Sequence, residues 1–386
     1  MKVLHVTPVA PGMMSGGEQG IRQSLLMLCG CKNMIDQLDY AGPPIAEEHL
    51  KKKYDNLYEL NADSSAAATI VTLLHRQTNK RFIAWKNSTI NYSEYDILYL
   101  DSTKLDYVPS VMKKWNPNVR VITRVHNVER DYAWIDFRRN KSLKRLIIAL
   151  LAKRQEYGTA KNSDILLMLS KNDICRFKKL YRSRRLGAVY KMIPVCVEER
   201  ADFKYRKCED EVHILLTGAL WFGPNADGIL WFIDRVVPLL DLRCRIRIAG
   251  ADPGSVIKKK CRRFAIELID TPDDMAPFIR EADVIAIPIF EGAGMKVKFA
   301  EALSYGKVVI STSFGAAGYD VINGASCMIA DDAAGFAESI HKYRMMNAKE
   351  RVKMAETGYQ LFKEKYSIKS GTKRLRKILY DIQGQV

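Results

Sequence analysis

The chain has 386 residues, 47% of them hydrophobic and 27% charged. That is too long for one compact core and too apolar for a disordered polymer, so two domains are expected. Lys plus Arg exceed Asp plus Glu by 61 − 44 = +17, which points to an anionic substrate, partner or surface without choosing among nucleotides, nucleic acids and bilayers. The eight cysteines include no Cys-x-x-Cys pair and no nearby histidine that would complete a zinc site, so reduced, mostly buried thiols in the cytoplasm are expected. The apolar run at the amino terminus is too short for a signal peptide and is broken by His5, Pro8 and Pro11. The longest purely apolar run, Leu146 to Ala152, is far below the roughly 18 residues of a spanning helix. The location expected is cytoplasmic, at most peripheral at the inner face of a membrane.

In chain order, Val3-Leu4-His5-Val6 reads as a strand that runs into Gly16-Gly17-Glu18 and a helical pattern through Leu25, Leu26 and Leu28. Further apolar runs at 97–100, 119–122 and 165–169 are spaced for intervening helices, which implies a parallel sheet covered on both faces. The same grammar restarts at His213 to Gly218 and continues at 246–250, 284–288 and 308–311. The fold class is therefore α/β, with an amino-terminal unit over 1–195, a linker at about 195–210 and a second unit over 210–365. The chain reads as helical from Ala333 onward, and a last helix at about 366–386 is expected to pack back on the first unit. Trp221, Trp231 and Phe232 are expected in the core.

Two such sheets create a cleft lined by strand carboxyl ends, the usual ligand position in open α/β folds. The most informative stretch leading into it is Pro288 to Ile310: a buried strand, a glycine turn at Gly292-Ala293-Gly294-Met295-Lys296, a helix and the next strand. Bare backbone amides ahead of a helix hold anions. A helix started by Val297 places Lys298 and Glu301 on one face and Lys296 elsewhere, pairing a cation for phosphate with a carboxylate for a sugar diol. In the first half, His126-Asn127 follows the strand ending at Thr123, where such sheets place function.

The Gly-x-Gly-Met-Lys-x-Lys stretch, followed by Glu-Ala, Gly and Val-Val, resembles the donor-binding region of the GT-B glycosyltransferases, specifically family 4 of retaining, nucleotide-sugar-dependent enzymes. The resemblance covers nearly the whole chain and implies two Rossmann-like doubly wound domains facing each other across a cleft. It implies that Glu301 holds the ribose, that Glu291 lies by the donor sugar, that Lys298 neutralises the diphosphate and that His126 faces the sugar near the transferred carbon. Nine residues separate Glu291 from Glu301 here, against seven in the usual spacing. Gly16 and Gly17 would sit close to the diphosphate or the acceptor, and Gly218 would form the first strand-to-helix turn of the nucleotide-binding unit. Leu220 to Asn225 stand where most members carry an Arg and a Lys. The loop at Asp270-Thr271 falls where the family reads the base, largely through backbone groups. No metal and no cofactor beyond the nucleotide-sugar co-substrate are implied. The acceptor expected is a glycan or lipid-linked one in polysaccharide or cell-envelope assembly, and no nucleic acid partner is expected. The rivals are a catalytically silent GT-B partner subunit, an epimerase on the same architecture and a basic nucleic-acid-binding protein, the last lacking an interleaved aromatic and basic signature.

Arg138, Arg139, Lys141, Lys144, Arg145, Lys153 and Arg154 enclose the Leu146–Ala152 run with no acid between them. Either adsorption on anionic lipid or an amphipathic helix buried on its own sheet accounts for this. Lys178, Lys179, Arg182, Arg184 and Arg185 add a second basic cluster.

Overall fold

The computed structural model describes residues 1–13, 15–182, 186–200, 211–241 and 243–384. Residues 201–210 of the expected linker, and Arg184 and Arg185 of the second basic cluster, lie outside them. The chain divides into two compact units, one of Met1–Pro194 with Gly371–Val386 and one of Val195–Ser370.

The first unit holds Lys2–Val6 (β1), Gln37–Gly42 (β2), Leu57–Glu59 (β3), Ile97–Leu100 (β4), Arg120–Val125 (β5), Ile165–Met168 (β6) and Val189–Met192 (β7). All pair in parallel, in the order β3-β2-β1-β4-β5-β6-β7. The second unit holds Val212–Thr217 (β8), Cys244–Gly250 (β9), Glu267–Asp270 (β10), Val284–Ile287 (β11), Val308–Ser311 (β12) and Met328–Ile329 (β13). These are also parallel, in the order β10-β9-β8-β11-β12-β13. β4, β11 and β12 are buried over their whole length, as a sheet with helices on both faces requires. The strand order reverses between β1 and β4 in one unit and between β8 and β11 in the other, which opens a crevice at the strand carboxyl ends in each.

Helices fill the rest of the chain from Ala333, through Ala333–Met345, Ala348–Lys365 and Ile368–Gln383. The last buries Leu375, Ile378, Leu379 and Ile382, and within the first unit its Arg376 donates from Nε to the Gly30 carbonyl at 3.1 Å. Of the three aromatics expected in the core, Phe232 is fully buried and Trp231 packs against Phe290 and Phe336, but Trp221 is 60% exposed. Trp221 lies just before the Gly223–Trp231 helix, in a turn whose apolar contact is made by buried Leu220 instead.

Backbone contact fixes the ends of β8 and β9. A Cβ on Gly250 would stand 1.8 Å from the Gly218 carbonyl oxygen, a position no side chain can occupy without moving the strands. Gly250→Ala is therefore expected to destabilise the second unit by about 2 kcal/mol or more, read as a lowered urea midpoint.

A buried carboxyl supports the first unit from below the β5 loop. Glu156 accepts the Glu129 amide at 2.7 Å and the Tyr181 hydroxyl at 2.6 Å. Burial outweighs both bonds and pushes its pKa up from 4.5 to about 7. The folded chain thus binds this proton more tightly than the unfolded one, and the contribution fades as pH rises from about 4.5 through about 7. Across that window denaturation should show wild type losing stability relative to Glu156→Gln; a constant difference would contradict the assignment.

Candidate active site

In the second unit the residues that follow β8 and β11 meet at the crevice. β11 runs through Pro288 into the turn at 292–296, where Gly292 and Gly294 have φ of 129° and 63°, conformations that favour glycine. The helix Val297–Ser304 begins directly after it, without a side-chain cap and without an acid in its first turn, so its amino end stays electropositive. Lys296 curls back over the turn, its ammonium donating to the Gly294 carbonyl at 2.8 Å and the Ala293 carbonyl at 3.2 Å and lying 4.8 Å from the Phe314 ring centre. Met295 is buried, which leaves only its backbone for a ligand.

Lys298 points the other way. Its ammonium donates to the Thr217 carbonyl at the end of β8 and, at 3.0 Å, to Asn225 Oδ1. Asn225 is itself held by a 3.0 Å bond from its Nδ2 to the Ala219 carbonyl. Gly218 makes room, since a Cβ there would lie 2.7 Å from Lys298 Nζ, and its φ is 146°. Burial, reinforced by the neighbouring Lys296 charge, lowers the Lys298 pKa to about 8, against a smaller opposing pull from Glu301. One turn along, burial raises the Glu301 pKa against the Arg200 and Lys298 charges. Neither the Lys298 ammonium nor the Glu301 carboxylate makes an ion pair, and Glu301 makes no side-chain hydrogen bond, among the described residues. A cation and a carboxylate on one face, each short of a charged partner, are arranged to take an anion beside a hydroxylated group.

The other predicted positions divide. Glu291 is exposed at the mouth of the turn. Asp270 and Thr271 spend their side chains locally: the Asp270 carboxylate meets Lys258 at 2.7 Å and the Thr271 hydroxyl at 2.8 Å, and that hydroxyl accepts the Asp252 amide at 3.0 Å. Both pairings lower the Asp270 pKa, Lys258 more strongly. This loop offers a ligand backbone groups.

In the first unit the crevice between β1 and β4 holds His126. Gly16 and Gly17 open the helix Gly16–Cys29, whose cap Ser15 accepts the Glu18 amide at 3.2 Å. A Cβ on Gly16 would meet nothing within 4 Å, so packing does not demand glycine there. One turn further Gly20 lies under the imidazole of His126, where a Cβ would come within 2.9 Å of Cε1 and Nδ1. The Nε2 of His126 bonds Asp101 Oδ1 at 2.9 Å. Asp101, directly after β4, also bonds His5 Nε2 at 2.7 Å and accepts the Ser24 hydroxyl at 2.8 Å. It is fully buried; burial works to raise its pKa, but the hydrogen bonds from His126 and His5 win and hold the carboxyl well below the usual range. A buried carboxylate thus fixes an imidazole that is itself 20% exposed.

Sequence reading missed Asp101, His5, Gly20 and Asn225. Asp101 had a visible signal, a lone acid ending the apolar run 97–100; the others are paired only by the fold. Asp101→Ala should cost about 3 kcal/mol, because buried His5 and half-buried His126 lose their shared acceptor. Chemical denaturation checks this, and a cost below about 1 kcal/mol would show the bonds to be replaceable by water.

Residues 211–344, which carry the Lys298 and Glu301 site, match the family model described as glycosyl transferases group 1. A Klebsiella pneumoniae protein described as an uncharacterized 44.6 kDa protein in the cps region is 26% identical over 293 residues, 72% of each chain. Among solved structures, sucrose-phosphate synthase from Thermosynechococcus elongatus has a TM-score of 0.73 at 14% identity, covering 100% of both chains. Anabaena HepE, crystallised with UDP and with UDP-glucose, has a TM-score of 0.68 at 12% identity, covering 99% of this chain and 100% of its own. These likenesses establish the GT-B fold.

Proposed function

We propose that this chain, a GT-B glycosyltransferase whose carboxyl-terminal unit carries a glycosyl transferases group 1 domain, moves a sugar with retention from a nucleoside diphosphate sugar to a glycan or lipid-linked acceptor in polysaccharide assembly. One observation carries the reading: Lys298 and Glu301 share a helix face at the carboxyl end of the second sheet, with no ion pair of their own among the described residues. The cps-region relative supports the pathway class, and the UDP and UDP-glucose bound to Anabaena HepE make a uridine diphosphate sugar the first donor to test.

Lys298 and the uncapped helix start meet the diphosphate, and their charge is in place before the bond to the sugar breaks. Such preorganised stabilisation of a leaving anion is worth several kcal/mol. Asn225 and the Thr217 carbonyl keep the ammonium at that position, so little reorganisation is needed. Glu301 accepts hydrogen bonds from the ribose, and backbone groups of the 270–271 loop receive the base. We assign the exposed Glu291 to the transferred sugar and count His126, oriented by Asp101, among the catalytic residues. Because positive charge is supplied by the protein, turnover is expected to survive EDTA.

A thermal-shift screen of nucleoside diphosphates and their sugars tests the reading, since a bound ligand stabilises by mass action. One nucleotide class should raise the melting temperature; Lys298→Met should reduce the shift without removing it, and Glu301→Gln should weaken ribonucleotide binding about tenfold while leaving the 2′,3′-dideoxy analogue unchanged. The pH dependence has a defined sign. Lys298 holds the diphosphate as ammonium, so wild-type affinity should fall as pH rises beyond about 8, and Lys298→Met should lose that dependence. Indifference to every nucleotide would refute the proposal. Nucleotide binding without transfer would favour the silent partner subunit, a reading motivated by the Leu220–Asn225 segment that replaces the usual cations.

A further inference from the structure

The helix Leu143–Asn162 is amphipathic in the reverse sense. The side turned inward carries small or polar residues, Ala149, Ala152, Gln155, Glu156, Thr159 and Ala160, all buried. Of its large apolar residues, Leu146, Ile148 and Leu151 are half-buried, whereas Leu143, Ile147 and Leu150 are 74%, 38% and 59% exposed. At spacings of four and three these last three form one outward stripe. The first unit's own sheet does not cover this stripe. Exposed Lys144 and Lys153 flank it, and exposed Arg138, Arg139 and Lys141 stand at the turn from the preceding helix, Glu129–Asn140. The nearby acids are already engaged, Asp136 by Arg145 and Asp106 by Arg154 at 3.8 Å.

The first unit exposes a second apolar surface. In the helix Ala66–Leu74 only Ala68 and Thr72 are buried, while Ile70, Val71, Leu73 and Leu74 are 58%, 40%, 42% and 75% exposed. The chain then passes through exposed His75 and Arg76 to Gln77 and Thr78. Both of these are tied to Gln155 of the long helix, Gln77 Oε1 accepting from its Nε2 at 3.1 Å and Thr78 donating to its Oε1 at 2.8 Å. The buried glutamine ties the segment that follows one helix to the inward face of the other.

We propose that these two helices form a docking surface for an anionic lipid bilayer. Leucine and isoleucine stripes suit the acyl boundary, and a rim of Lys and Arg with its acids neutralised suits the phosphate layer above it. A protein partner would have to be both apolar and acidic along two helices. Among the described residues no helix is long and apolar enough to cross a membrane, so attachment through this surface is peripheral. The inference stands apart from the transferase reading, because it uses none of the residues assigned to the nucleotide or the sugar.

Co-sedimentation of the full chain with phosphatidylcholine vesicles, and with phosphatidylcholine–phosphatidylglycerol vesicles at low and high salt, tests it. Wild type is expected to sediment with the anionic vesicles, several-fold less with the neutral ones, and less as salt rises. Ile147→Ser with Leu150→Ser should reduce binding about tenfold, Lys144→Glu with Lys153→Glu should reduce it on anionic vesicles only, and Leu74→Ser should weaken it. Since these side chains are exposed, all variants should keep the wild-type melting curve and any nucleotide-induced shift, and Lys298→Met should bind vesicles like wild type. Equal or absent binding to both vesicle types, or variants that sediment unchanged, overturns the proposal. So does a wild-type dimer that Ile147→Ser with Leu150→Ser makes monomeric without any vesicle uptake, an outcome that assigns the stripe to a second copy.

Discussion

The chemistry of this chain depends on one topological constraint, the reversal of strand order in a parallel sheet. Where the order reverses, connections leave toward opposite faces, and the carboxyl ends of two adjacent strands are left facing an unfilled crevice. Each unit meets this constraint once, between β1 and β4 and between β8 and β11. Every charged group assigned here to the reaction sits at one of these two places or on the helix that starts there.

The two crevices resolve their charge differently. In the first, Asp101 is saturated by His126, His5 and Ser24. It acts as internal scaffolding for the one imidazole that retains access to solvent. In the second, Lys298 is held by neutral oxygens only, and its charge remains uncompensated. Neutral carbonyl and amide partners orient an ammonium without cancelling its field. A carboxylate in their place would have produced a stable ion pair and a poor anion site. Burial lowers the pKa of Lys298 and raises that of Glu301, and the attraction between the two offsets only part of it.

Glycine has a separate role in each crevice. Gly20 lets a helix pass beneath His126, and Gly218 admits the Lys298 ammonium while its carbonyl touches Gly250. These are steric requirements, whereas nothing in the packing demands Gly16. On the outer surface the logic of the core is reversed along part of the Leu143–Asn162 helix, which turns Leu143, Ile147 and Leu150 outward and its alanines inward.

Much of this was legible in the linear order of residues. Largely apolar runs marked β1, β4, β6, β8, β11 and β12, and the glycine turn ahead of Val297 placed Lys298 and Glu301 on one face because helix period is a local property. Strands with polar interruptions or very few residues, such as β2 with Gln37 and Asp39, three-residue β3 and two-residue β13, gave no such run and are held by their neighbours. What only the tertiary structure decided were the partnerships across long separations: His5 with Asp101, 96 residues apart, Asn225 with Lys298, 73 apart, and Gln77 with Gln155, 78 apart. It also decided which side of an apolar stretch faces water, exposing Trp221 and the 143–150 stripe. Local sequence fixes period and turn chemistry, whereas contact and exposure depend on which other elements arrive at the same place, and that is set by sheet order.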